Sequence, residues 1–581
     1  MEALDAATRA ANLERMAHDA FDVLVVGGGI TGAGVALDAV ARGYRVALVE
    51  KADFASGTSS WSTKLVHGGI RYLPEYDFGL VREALVERGR LVRNAPFLVE
   101  PLAFLLPLYD GARRPLGVPF TPPRGYGLPL MLDAGLWLYD LMAGRLNVAR
   151  HHRISAETAH TLAPRLKGEG LRAAYLYSDA QTNDTRLTLA VLRTAARMGA
   201  VLANYAEATS FTRQGDRLAG AEVRDALTGA THMVAARHVV NATGVFAEQV
   251  AALSGSESHV AIEPSKGVHL VVARERVGVS QTAVVIPETD DGRILFVIPW
   301  LSRAVIGTTD TGTGDLDHPT ANSDDVAYLL DHVNRYLEVN LTSADVLNTF
   351  AGYRPLIRAK RGSTARLSRS HEVVQEQSGL VTIVGGKLTT YRRMAQDTVD
   401  VLAKRDGMAL ARPTQRLPLA GAVAWAVAKP AIRARAQALG LASDVIHHLE
   451  FNYGRHAEEV LDLIEGDRSL AGPLVADLPY LRAEVVHACR AEMALRLDDV
   501  LARRTRVMLE EREGGMAAAS EAARLMAREL GWAEARIGEE TERYAAQVRS
   551  RAEAAGLSGL ELPGGESRAL PRAGQDLGLV G

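Results

Sequence analysis

The chain has 581 residues, enough to bury a large core spread over several lobes, and 47% of them are hydrophobic against 23% charged. A net charge of −3 and a pI near 6.6 give no support for nucleic-acid binding. The one cysteine, Cys489, excludes a disulfide within the chain, a cysteine-ligated iron–sulfur cluster and a Cys-rich zinc site; no metal site is expected.

Residues 1–20 carry acids and no apolar h-region, so they read as an extension with a short polar helix, not as a signal or transit peptide. Phe21 to Val26 is a valine-rich run of the kind that forms a strand buried on both faces. Gly27, Gly29 and Gly32 follow as G-x-G-x-x-G: one for a tight turn, one for close approach to a pyrophosphate, one for close helix packing. The pyrophosphate would meet the N–H groups and positive dipole end of the next helix, whose apolar stripe is Ala36, Leu37 and Val40. A second strand, Arg45 to Val49, delivers Glu50 where a ribose-binding acid belongs. The fingerprint alone does not separate FAD from NAD.

The stretch after Glu50 is rich in small hydroxyl residues, among them Thr58, Ser59 and Ser60, and reads as a loop lining a polar ligand. Lys64, His67, Gly68, Gly69, Arg71 and Tyr72 follow, with a glycine pair that lets the backbone approach something flat. Taken singly, His67 reads as a structural loop histidine and Arg71 as a surface ion pair. Phe78 to Asn94 and Leu130 to Met142 are helical, separated by a Pro/Gly-rich irregular segment, Arg113 to Gly127. No apolar run reaches transmembrane length. Leu130 to Met142 and the basic cluster Arg145, Arg150, His151, His152, Arg153 allow shallow contact with anionic lipid; core packing and a solvated face are the plainer readings.

Tyr175 to Thr188 leads into a helix ending near Met198, and strand-like segments span Val201–Ala206, Leu218–Asp225 and Thr231–Ala235. Val239 to Asn241 then runs into the turn Ala242-Thr243-Gly244. An antiparallel sheet is expected from Gly267–Ala273, Thr282–Ile286, Arg293–Ile298 and Ala304–Gly307, with His269 inside it and Asp310 just beyond. Arg354 lies in FAGYRPL, and Arg369 follows in ARLSRSHEV. Leu380 to Val384 is a strand running into Gly385-Gly386-Lys387-Leu388-Thr389 and a helix, a second anion-site pattern. Beyond Pro413–Pro418 the chain is helical to about Ala555, with a helix expected from Pro430 to Leu439. Residues 556–581 are Gly/Pro-rich and expected to be disordered.

Together VVGGGITGAGVALDAVARG, TSSWSTKLVHGGIRYL, VVNATGVFA, SKGVHLVV, IGTTDT, GYRPL, GGKLTTYRRMA and LDDVLARRTR resemble the FAD-dependent, quinone-linked glycerol-3-phosphate dehydrogenases. The resemblance spans about residues 20 to 545, and the Ala242-Thr243-Gly244 turn favours FAD over NAD. It implies an α/β FAD-binding domain, Rossmann-like and of the glutathione-reductase/D-amino-acid-oxidase type. Residues 21–110, 171–255 and 350–405 would form that domain. Residues 111–170 and 256–349 would form an antiparallel-sheet substrate lobe, and 413–555 a C-terminal all-α domain.

The resemblance further implies oxidation of sn-glycerol 3-phosphate to dihydroxyacetone phosphate, with hydride transfer from C2 to the flavin. Arg71, Arg354 and Arg369, with Tyr72, would hold the phosphate, for which arginine's paired donors suit. A histidine near neutral pKa suits the hydroxyl proton, and His269 and His67 are both candidates. Lys387 would stabilise charge on the ring. Gly27, Gly29, Gly32, Glu50, Thr58, Ser59, Ser60, Lys64, Gly68, Gly69, Ala242, Thr243, Gly244, Asp310, Gly385, Gly386, Lys387, Leu388 and Thr389 would contact FAD. Quinone as electron acceptor, a cytoplasmic protein peripheral on the inner membrane face, and a homodimer complete the expectations. Oxygen as acceptor, a related amine or amino-acid oxidase and, last, a non-enzymatic flavin-binding module are the alternatives.

Overall fold

A computed structural model describes residues 4–110, 127–255, 261–358 and 370–557. The Pro/Gly-rich segment expected at 113–127 lies almost wholly outside them, as do Arg369 and the tail from 558.

The glycine-rich turn leaves an eight-stranded sheet at its centre. Phe21–Val26 pairs in parallel with Val46–Val49 on one side and with the end of Thr231–Asn241 on the other. Val201–Ala203 and Val381–Gly385 extend the parallel order outward. Both faces of the central strand are covered, which is why it reads as continuous valine and leucine. Val23 and Val25 pack under helices Ile30–Ala41, Asp184–Arg197 and Tyr391–Arg405. Leu24 and Val26 face Leu13 and Met16 of helix Ala6–His18, and the antiparallel strands Ala206–Gln214 and Arg217–Asp225. The N-terminal extension is therefore part of the core: Arg9 is buried and ion-paired with Asp225 at 2.6 Å. Thr231–Asn241 is one long strand, antiparallel to Arg217–Asp225 in its first half and parallel to Phe21–Val26 in its second.

A second, nine-stranded sheet runs in the order 346–357, 262–273, 303–307, 295–300, 282–286, 99–109, 171–182, 65–66, with the ninth strand, 152–155, paired to 171–182 off this path. The expected boundaries place 99–109 and 171–182 in the dinucleotide lobe, but those strands pair with each other along their whole length in this second sheet. Phe104, Leu106 and Tyr177 project from them into a core closed by helices Phe78–Asn94 and Gly127–Ala143, and that apolar face fixes their place. Strand Val346–Ile357, carrying FAGYRPL, likewise lies at the edge of the second sheet.

From Trp425 to Ala554 the described chain is mainly helical and shares a continuous apolar core with the helices over the first sheet. The helix expected to begin at Pro430 begins at Trp425, so Pro430 sits inside it. The buried Trp425 ring, edge-on to Phe97 at 6.1 Å, anchors the early start, and the missing proline N–H costs the helix one backbone bond.

Candidate functional site

A cavity of about 560 Å³ runs from the C-terminal ends of the parallel strands to the inner face of the second sheet, within the size range of ligand sites.

At its first end the turn after Phe21–Val26 lies against the turn after Thr231–Asn241. Gly27 has φ +110°, and a Cβ there would come within 2.7 Å of the Ala242 carbonyl. Only glycine satisfies both constraints. Gly29 caps helix Ile30–Ala41; the Ile30 N–H donates to Ser59 Oγ at 2.9 Å, and helix geometry leaves the N–H groups of Thr31 and Gly32 without intrahelical acceptors. Glu50 accepts from the Gly28 and Ala52 N–H groups at 2.6 and 3.0 Å. Burial pushes its carboxyl upward in pKa while those two donors pull it back. A carboxylate has four lone-pair sites, so Glu50 retains acceptor capacity toward ribose hydroxyls. Thr58, Ser59, Ala242, Thr243 and Gly244 line this end as well.

In the middle, Gly385, Gly386, Lys387, Leu388 and Thr389 line one wall and His67, Gly69, Arg71 and Tyr72 the other. The His67 N–H donates to Thr389 Oγ1 at 3.1 Å, tying the walls together. Lys387 Nζ is buried without a hydrogen-bond partner and lies 4.0 Å from the centroid of the Tyr72 ring. Burial and the nearby Arg71 lower its pKa to about 7. An orphaned ammonium in a cavity wall calls for an acceptor, and the electron-rich edge of an isoalloxazine ring fits it. Arg71 Nη2 donates to Tyr72 Oη at 2.9 Å. His67 is held neutral: burial first, then Lys387, Arg71 and Arg88, lower its pKa to about 3.

At the far end His269 and Arg354 come from neighbouring strands of the second sheet. The His269 imidazole stacks on Phe350, centroids 4.6 Å apart and planes at 11°. It lies over Gly307, where a Cβ would approach the ring within 2.1 Å. Its Nε2 is hydrogen-bonded to Thr63 Oγ1 at 2.9 Å. Burial, then Lys64 and Arg354, hold its pKa well below the ordinary histidine value. Arg354 donates to Thr308 Oγ1 and the Thr309 carbonyl at 3.1 Å each, and faces Asp310 at 3.3 Å. Burial, partly offset by Asp310, lowers its pKa to about 10, so it stays a cation.

Five expected contact residues do not line the cavity. Gly32 packs the helix onto the turn: a Cβ there would meet the Gly27 carbonyl at 1.9 Å. Gly68 is pressed between Leu85 and Tyr139 and donates its N–H to Asp179 at 3.0 Å. Asp310 holds Arg354 and Ser265 from behind. Ser60 is buried, its hydroxyl donating to the Ala55 carbonyl. Lys64 points away from the cavity into an ion pair with Asp184 at 2.7 Å. In the hydroxyl-rich loop Ser56 to Ser59 and Trp61 to Thr63 line the cavity, while Ser60 and Lys64 turn away from it. His151 of the basic cluster folds back onto Asp140 at 2.7 Å rather than joining the rim. Sequence reading missed Thr63, Thr308, Phe104, Tyr177, Asp179 and Phe296, which line the cavity. Thr63, Thr308 and Phe296 sit inside stretches that carry the resemblance (Phe296 in FVIPW), but Phe104, Tyr177 and Asp179 reach the site only through long-range pairing.

Residues 22–392 match the family described as FAD dependent oxidoreductase, and residues 412–537 match the C-terminal domain of alpha-glycerophosphate oxidase. The chain is 40% identical to glycerol-3-phosphate dehydrogenase 2 of Mycobacterium tuberculosis over 551 residues, covering 94% of this chain and 91% of that one. It is 39% identical to the mitochondrial glycerol-3-phosphate dehydrogenase of Mesocricetus auratus, covering 90% of this chain and 72% of the relative. Among solved structures, the glycerol-3-phosphate dehydrogenase of Bacillus halodurans complexed with FAD superposes with a TM-score of 0.77 at 30% identity, covering 96% of this chain and 99% of that one.

Proposed function

The chain belongs to the FAD-dependent oxidoreductases, and from that premise we propose that it oxidises sn-glycerol 3-phosphate to dihydroxyacetone phosphate and passes the electrons to a membrane quinone. The observation that carries the substrate assignment is the pairing, at one end of the FAD cavity, of a neutral buried histidine with converging cations. FAD, when bound, supplies the two-electron acceptor for the C2 hydride.

The chain's own residues do the rest. Arg354, fixed by Thr308, Thr309 and Asp310, offers its guanidinium to the phosphate, and Arg71 approaches from the opposite wall. Arg369 would complete the set. With Nε2–H donating to Thr63 Oγ1 and the ring held by Phe350, His269 Nδ1, which has no hydrogen-bond partner among the described residues, accepts the C2 hydroxyl proton as the hydride leaves. His67 is the other candidate base, but Lys387 and Arg71 beside it oppose a second positive charge. Lys387, buried in the cavity wall without a hydrogen-bond partner among the described residues, would balance negative charge on the flavin when it is bound. The apolar lining, Phe104, Phe296 and Ile294, limits water near the reacting carbon.

Quinone is a membrane solute, so its reduction needs a docking surface. Among the described residues no helix is long and apolar enough to cross a membrane. Helix Gly127–Ala143 instead turns Leu130, Trp137 and Leu141 outward, 71%, 53% and 76% exposed, and Arg145, Arg150 and Arg153 are exposed just beyond. These support shallow attachment at the cytoplasmic face of the membrane.

The visible spectrum tests the reading. Purified protein should carry one FAD per chain, and anaerobic glycerol 3-phosphate should bleach its visible absorption. Bound flavin that stays oxidised under those conditions would remove the substrate assignment. Stoichiometric peroxide in air at the full rate would make oxygen, not quinone, the acceptor.

A further inference from the structure

Thr63 and Lys64 are neighbours in the chain but face opposite ways. Lys64 has φ +64°, in the left-handed region that non-glycine residues seldom enter. Thr63 Oγ1 stays in the cavity on His269 Nε2. Lys64 Nζ is fully buried behind it, donating to Asp184 Oδ2 at 2.7 Å and to the Ser60 carbonyl. The ammonium lies 4.5 Å from the centroid of Phe350, the ring that stacks on His269.

This site is closed by the C-terminal helical region. Arg506, also fully buried and with φ +70°, donates to the Ser60 carbonyl and to Thr185 Oγ1, both at 2.7 Å. Its guanidinium is 3.6 Å from Asp184 Oδ1. Two cations thus share the Asp184 carboxylate inside the protein. Burial and Arg506 pull the Lys64 pKa down to about 7 against the hold of Asp184, so the charge is kept there at a cost, close to the Phe350 ring that stacks on the imidazole.

The charged groups that act on His269 are Lys64 and Arg354. A phosphate at Arg354, as proposed above, would offset that charge and leave Lys64 as the remaining cation near the ring. We propose that Lys64, clamped by Asp184 and Arg506, is a positioning residue for the reaction: it fixes Thr63 at the edge and Phe350 at the face of the His269 imidazole, ready to accept the C2 hydroxyl proton. The inference rests on His269 as the base.

The test uses holoenzyme carrying Lys64→Met, the double change Lys64→Met with Asp184→Asn, or His269→Asn. Flavin-to-protein ratio, melting midpoint and the pH profile of kcat/KM are read for each. Lys64→Met should keep its flavin and lose about 10- to 100-fold in kcat/KM at pH 7, mostly in kcat, an effect on the scale of misplaced general-base catalysis. With the nearby cation gone, the acid limb of the profile should move up by about one pH unit. Should the single change prevent folding, the double change removes cation and carboxylate together and reads the same profile. Full flavin with an unchanged rate and acid limb would overturn the proposal. So would loss of flavin from both variants, which would make Lys64 a support of the fold only. A His269→Asn enzyme at the wild-type rate would remove the base assignment and this inference with it. Loss of activity in His269→Asn beside an unchanged Lys64→Met would remove this inference alone.

Discussion

Arg504 forks onto both carboxylate oxygens of Asp53, with Nη2 2.8 Å from Oδ1 and both side chains sealed from solvent. Arg503 joins at Oδ2, with Nε 2.5 Å away. Burial alone would raise the Asp53 pKa, but the two guanidinium groups outweigh it and hold the carboxyl below its ordinary range. Asp53 follows closely on Glu50, so this contact pins the ribose loop to the C-terminal helices. Removing a buried ion's only partner costs roughly 3–5 kcal/mol, and because Arg503 stays on Asp53 the loss of Arg504 should cost less than that. Arg504→Ala should therefore lower the thermal midpoint and release flavin on dilution. Melts with and without added FAD check both, since ligand binding should restore part of the loss.

The turn itself is equally unforgiving. A methyl at Gly32 would overlap the Gly27 carbonyl at 1.9 Å, and that neighbour is backbone. Gly32→Ala should push the helix N-terminus off the turn and give colourless protein. Flavin absorbance after purification and far-UV circular dichroism separate loss of cofactor from loss of fold.

Arg354→Ala removes a charge-assisted contact made in the presence of the phosphate. The expected loss in kcat/KM is on the order of 2–4 kcal/mol, with flavin content unchanged. Activity toward glycerol, which has no phosphate, should hardly change. Comparing the two substrates isolates the phosphate contribution from any general damage.

The local half of this site was legible and the long-range half was not. Gly27, Gly29 and Glu50 act through turn and strand-end geometry, which spacing along the chain records directly. His269, Arg354 and Lys387 followed from resemblance, and the cavity brings them together. Lys64 and Ser60 were misplaced because a loop rich in hydroxyl residues shows no period by which inward and outward side chains could be told apart. Phe104 and Tyr177 were missed because their strands pair across more than sixty residues, and only that pairing brings them to the ligand. Pairing at such separations leaves no local mark.

Acid should destabilise the protein in two stages. His67 and His456 are kept neutral by burial, with pKa lowered to about 3 and about 4. The unfolded chain protonates its histidines near pH 6.5, so their contribution is complete above that value and lost as pH falls from there to about 4 for His456 and about 3 for His67. Glu492 has the opposite form: Arg186 and its neighbours outweigh burial and hold its pKa at about 2. Its stabilisation is present above pH 4.5 and lost between 4.5 and 2. Denaturant midpoints taken from pH 7.5 to 3 should fall in both windows. Replacing His456 with Gln should flatten the upper one.

The outer face of helix Gly127–Ala143 makes the last prediction, because apolar and charged contact with lipid respond differently to salt. Leu130, Trp137 and Leu141 offer apolar area, while Arg145, Arg150 and Arg153 offer charge. Attraction of a basic residue to anionic lipid is worth about 1 kcal/mol and is screened by salt; burial of a side chain such as Trp is not. Wild-type protein should sediment with anionic vesicles at low salt and be partly released at high salt. Changing the three arginines to Glu should abolish the low-salt binding and its salt dependence together. Trp137→Ser with Leu141→Ser should weaken binding at every ionic strength, and reduction of a long-tailed quinone in vesicles should fall in step while a water-soluble acceptor is reduced at the unaltered rate. Equal sedimentation of all three proteins would mean that this face does not meet the membrane.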